Sequence, residues 1–153
     1  MLRARLRDAL TSAMKARDER TVSAVRLILA RLKERDIEAR PKGQAEGISE
    51  AEMVAMMQGM IKQRRESIEL YERGRRPELA AKEAGEIAVI ESFLPRQLSE
   101  AETAAAIETV IAECGATGLK DMGKVMGGLK QRFAGTMDFA RAGALVKARL
   151  GGG

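Results

Sequence analysis

Apolar residues recur along this chain at intervals of three and four almost from end to end, the spacing of helices that each bury one face. Leu2, Leu6, Leu10, Ala13 and Met14 predict a first helix over residues 2–17. Val22, Val25, Leu29 and Leu32 predict a second over 20–40, with Asp18 as a cap between the two. Pro41, Gly43 and Gly47 mark the first loop. Ser49 followed by Glu52 has the spacing of a capping box, in which side chain and backbone satisfy each other's free donors. It opens a third helix reaching about residue 73, with Met53, Met56, Met57, Met60, Ile61, Ile68 and Tyr71 on its apolar side. Gly74 and Pro77 form a stop-and-restart signal, and a fourth helix over 77–93 uses Ile87, Ile90 and Leu94. No segment alternates apolar and polar residues in the manner of a strand.

Leu94-Pro95 interrupts this pattern, because proline disfavours helical geometry in its predecessor. Ser99 and Glu102 form a second capping box for a fifth helix that ends near Cys114-Gly115. A sixth carries Leu119, Met122, Val125, Met126, Leu129 and Phe133 on one face and stops at Ala134-Gly135. Asp138 caps a seventh, with Phe139, Ala142, Val146 and Leu150 facing inward, and Gly151-Gly152-Gly153 is expected to fray. The expectation is an all-α, multihelical protein. A subdomain of about four helices in hairpins, residues 1–94, precedes a small three-helix bundle, residues 99–150.

The sixth helix changes the picture from architecture to chemistry. Opposite its apolar stripe lie Lys120, Gly123, Lys124, Gly127, Gly128 and Gln131. Glycine within a helix costs about 0.5–1 kcal/mol relative to alanine. Three on the outward side imply that something comes close to the backbone there, and the lysines imply that it is anionic. Two explanations compete: a phosphate–sugar backbone, or another helix of the same protein packed against Gly123 and Gly127.

Charge supports the first. The formal total is +5, but residues 1–42 carry 12 basic and 6 acidic side chains, and 43–94 carry 7 and 10. From residue 115 onward there are 7 basic and 2 acidic, whereas the fifth helix has only acids. Lys120, Lys124, Lys130, Arg132, Arg141, Lys147 and Arg149 therefore form a candidate basic patch, against the simpler reading of an ordinary solvated face. Only 3% of residues are aromatic, so base stacking on single strands is disfavoured, and a nucleic-acid partner would be read by shape and phosphates, as in folded RNA.

Histidine is absent and Cys114 is the only cysteine, which removes histidine-base catalysis, disulfides within the chain and sulfur- or imidazole-ligated zinc. No catalytic residue, metal site or cofactor is predicted. Cys114 sits at a helix end, where the dipole does not favour a thiolate. Arg73, Arg75 and Arg76 around Gly74 read as cations complementing a helix C-terminus. The methionines at 53, 56, 57 and 60 read as core filling, with an adaptable protein-docking surface as the alternative. No apolar run of about 18 residues is present, so no membrane span is expected. Residues 1–7 are basic but lack the apolar block of a signal peptide, and the expected location is the reducing cytoplasm.

Asp121-Met122-Gly123-Lys124-Val125-Met126-Gly127 resembles the hallmark motif of the YqeY family, and Phe93-Leu94-Pro95-Arg96-Gln97-Leu98-Ser99 resembles its second signature. Ala13-Met14-Lys15, Asp18, Arg26, Leu27, Lys33, Asp36 and Ile37 are similar to the family's N-terminal helices. The loop Gly135-Thr136-Met137-Asp138-Phe139 departs from the pattern, which more often has a basic residue after the glycine and a glycine after the aspartate. The family is similar to the C-terminal tail of the B subunit of glutamine-dependent aminoacyl-tRNA amidotransferases. That resemblance implies a helical N-terminal part, a three-helix C-terminal bundle, and tRNA binding at matching positions that include Gly123, Lys124 and Gly127. Transamidation and glutamine hydrolysis reside elsewhere in those enzymes, so a carbon–nitrogen ligase label would come by association only. The alternatives are an accessory role beside an amidotransferase and a helical protein adaptor that binds no RNA. The oligomeric state is left open.

Overall fold

Seven α-helices and two short 3-10 turns make up the regular structure of the computed structural model, which describes residues 1–152. Among the described residues there is no strand, and no helix is long and apolar enough to cross a membrane. The chain divides into two compact units, Met1–Leu94 and Pro95–Gly153.

The first unit contains α1 (Leu2–Lys15), α2 (Glu19–Ala39), α3 (Glu50–Arg73) and α4 (Pro77–Glu91). Helix α1 packs on α2, α3 packs on α4, and α2 also packs on α4. Asp18 caps α2 by accepting from the Thr21 N–H, and Ser49 with Glu52 completes the capping box of α3. Because α2 is covered from two sides, its buried stripe is Ala24, Val25, Ile28 and Leu32, while Val22 and Leu29 are only half-buried. Met14, expected inside, is 52% exposed, since α1 buries the stripe of Leu2, Leu6 and Ala13, with Ala9 and Leu10 partly buried beside it. Met53, Met56, Met57, Met60 and Ile61 are buried, so the methionines fill the core; Ile68 and Tyr71, further along α3, are half-buried. The buried Glu86 carboxylate is satisfied by Arg64 at 3.0 Å, tying α4 to α3.

A polar clasp holds the other end. Arg3 donates both guanidinium nitrogens to Asp36, at 2.7 and 2.8 Å, and a further bond to the Ile48 carbonyl. Asp36 also accepts the Ile48 N–H, and the Arg3 guanidinium holds its carboxyl down at about 2. Gly47 is required here: its φ is +97° and a Cβ would lie 2.4 Å from Asp36 Oδ1. The α3–α4 turn departs from expectation. Gly74 has an ordinary φ of −81°, and Arg75 takes the left-handed position at +55°, as Arg17 does at +57° in the α1–α2 turn.

The second unit contains α5 (Glu100–Cys114), a 3-10 turn (Leu119–Asp121), α6 (Met122–Phe133) and α7 (Phe139–Gly151). Each helix packs on the other two around Ile107, Val110, Val125, Leu129, Ala142 and Val146. Capping again follows the sequence: Ser99 and Glu102 form the box of α5, Gly115 closes it at φ +66°, and Asp138 accepts from the Ala140 and Arg141 N–H groups. Segment 96–99 is clipped in place. Gln97 Nε2 donates to the Gly135 carbonyl at 2.7 Å, the Leu98 N–H donates to Thr136 O at 2.8 Å, and Arg96 grips Glu102 through two nitrogens. That grip, with Ser99, lowers the Glu102 carboxyl to about 2. The loop that departs from the family pattern thus serves as an internal acceptor for this segment. Gly151 ends α7 and Gly152 caps it, so these two do not form a loose tail; Gly153 lies outside the described residues.

Candidate nucleic-acid interface

Helix α6 does not begin where its apolar spacing predicts. Asp121 accepts the Thr117 N–H at 2.9 Å, and its own N–H donates to the Gly118 carbonyl. These bonds close a 3-10 turn, and α6 starts only at Met122. Leu119 is therefore 51% exposed rather than part of the buried face; it lies beside Gly151 of α7, whose Cβ would meet it at 3.5 Å. Lys120 consequently stands in the turn ahead of α6 rather than on the helix wall.

The glycines separate into two kinds. A Cβ built at Gly123 or Gly127 meets nothing within 4 Å, whereas one at Gly128 comes 3.1 Å from Val110 Cγ1. Gly128 is thus a packing glycine, placed where α6 leans on α5. Gly123 and Gly127 are exposed and face open space, and packing against a neighbouring helix does not account for them. One helical turn separates them, a rise of about 6 Å.

The basic residues separate as well. Arg132 is ion-paired with Glu113, Arg141 with Glu100 at 2.8 Å, and Arg149 with Glu108 at 2.7 Å. The acids of α5 thus neutralise all three arginines of the expected patch. Lys120, Lys124, Lys130 and Lys147 are exposed, and none takes part in a salt bridge among the described residues. Asp121 stands within the field of Lys120 and Lys124. Asp121 is held below the usual carboxylate range chiefly by the Thr117 N–H, with smaller contributions from Lys120 and Lys124.

What remains is a face formed by Gly123, Lys124, Gly127 and Lys130, extended at one end by Lys120. Cations flank a stretch of backbone that carries no side chains, an arrangement suited to a phosphodiester backbone laid along a helix. The contrast between an acidic α5 and a basic α6–α7 is readable in the sequence; that the two cancel pairwise at the arginines is not. Cys114 is exposed and free at the end of α5.

The helical architecture and the two motifs converge on a known class. A family model described as Yqey-like protein matches residues 3–150, and the chain belongs to the YqeY family. No curated protein sequence matches the chain.

Proposed function

We propose that the C-terminal unit binds the phosphate backbone of a structured RNA, with tRNA the class that the family's resemblance to the amidotransferase tail favours. The open backbone at Gly123 and Gly127 carries this reading, because it disfavours the helix locally and no contact within the protein calls for it. Lys120, Lys124 and Lys130 supply the neutralising charge, with Lys147 of α7 a further contributor. Arg132 and Arg141, engaged with α5, contribute little. An accessory role in glutamine-dependent amidation of aminoacyl-tRNA extends the proposal and rests on the family resemblance alone.

The test is filter binding of the full chain to unfractionated tRNA at about 50 and about 200 mM salt. Three or four lysine–phosphate contacts give a log–log salt slope of about −2.7 to −3.6. Joint replacement Lys120→Glu, Lys124→Glu and Lys130→Glu abolishes binding, while Arg141→Gln and Arg149→Gln leave it nearly unchanged. Retention of tRNA by the triple variant would rule out this face.

A further inference from the structure

Lysine ammonium groups meet phosphate as donors only, and phosphate is common to RNA and DNA. The surface around Gly127 contains a group of another kind. On a helix the neighbours of a residue stand three and four positions away, and for Gly127 these are Gly123, Lys124, Lys130 and Gln131. Lys124 and Lys130 flank the opening on its two sides, while Gly123 and Gln131 lie before and after it along the helix. All four are exposed, and Gln131 makes no hydrogen bond among the described residues. Gln44 and Gln97, by contrast, spend their amides on Glu52 and on the Pro95 and Gly135 carbonyls.

Among the side chains of α6, only that of Gln131 is a neutral group that both donates and accepts. Helical side chains lean toward the N-terminus, so this one leaves the helix on the side of Gly127. A Cβ at Gly127 would meet no atom within 4 Å, so the amide stands at the rim of the opening without filling it. A phosphate over Gly127 finds its cations in Lys124 and Lys130. In a strand laid along the helix, the sugars beside that phosphate then fall toward bare Gly123 at one end and the Gln131 amide at the other. The ribose 2′-hydroxyl is itself donor and acceptor, and A-form RNA displays it on a wide, shallow minor groove. Deoxyribose offers the amide nothing to bond.

We propose that Gln131 reads the ribose 2′-hydroxyl of the bound strand and so gives this face a preference for RNA over DNA. The proposal rests on the RNA-binding reading above and adds the sugar to what the same face recognises.

The test is binding of the full chain to one hairpin stem made as RNA, as DNA and as 2′-O-methyl RNA, the last keeping the A-form shape without the hydroxyl donor. The RNA stem is expected to bind tightest, with the other two weaker by about three- to tenfold, the worth of one hydrogen bond. Gln131→Leu, which keeps a good helix former, brings the RNA stem down to the level of the others without changing the salt slope. Lys124→Gln behaves differently, weakening all three stems and lowering the slope by about 1. Equal binding of the RNA and DNA stems by the unaltered chain would overturn the proposal and leave the phosphate reading standing. So would a 2′-O-methyl stem that binds as tightly as RNA, which assigns the preference to helix shape. An equal loss on all three stems in Gln131→Leu would also overturn it, as would binding of tRNA but of no stem. Binding of neither stems nor tRNA would remove the RNA-binding reading itself, and this proposal with it.

Discussion

Gly47 in the N-terminal unit and Gly127 in the C-terminal unit are the same residue placed for opposite reasons. At Gly47 the backbone is left-handed and the space is taken, since Asp36 and Arg3 occupy the volume a side chain would need. At Gly127 the backbone is helical and the space is empty. At Gly47 the first unit uses glycine and the Arg3–Asp36 pair to close its own structure; at α6 the second unit leaves Gly123, Gly127 and Lys124 facing outward. The lesson extends to cations. Arg3 is locked on Asp36, and the arginines of the second unit are locked on α5, but the lysines around α6 are free of salt bridges.

The sharpest way to break the comparison is to add a methyl group at each place. Gly47→Ala forces a side chain into the clasp at an unfavourable φ and should lower stability by about 2–3 kcal/mol, read as a drop in the urea midpoint. Next in size is the acid response of the same clasp. The Asp36 carboxyl is depressed to about 2 in the folded state, against about 3.9 when unfolded. Its contribution is complete above the unfolded value and is lost as pH falls from about 4 towards about 2. Asp36→Asn should be less stable at neutral pH and show a flatter loss across that window, followed through the Ile48 amide by hydrogen exchange. Glu102 has a similar depression, but its side chain is 39% exposed against 18% for Asp36, so its acid response should be the weaker of the two.

The smallest effect has the opposite sign. Gly127→Ala should raise stability by about 0.5–1 kcal/mol, because it relieves a helix-interior glycine without a clash. Gly128→Ala should gain less, since its methyl meets Val110. Gly127→Leu should preserve the fold yet weaken tRNA binding, a separation of stability from binding measured by thermal unfolding and filter binding on one sample. Equal binding by Gly127→Leu would leave the open glycines without the role proposed for them.

The amino-acid order alone determined the helices, their caps and most of their buried faces. These depend on local matters: a 3.6-residue repeat, a serine three residues before a glutamate, a proline after a leucine. It went astray at Leu119, where the Thr117–Asp121 bond competes with helix continuation, and at Met14 and Val22, whose burial depends on which neighbour covers which side. At the candidate interface the order of residues pointed to the last helices but could not sort their members by contact. Gly123, Gly127 and Gly128 look alike until α5 lies across one of them, and Arg132, Arg141 and Lys124 look alike until a carboxylate from another helix reaches two. Only the tertiary structure decided which positions face solvent with nothing to hold, because pairing across helices is set by how the three helices pack and not by the repeat along any one of them.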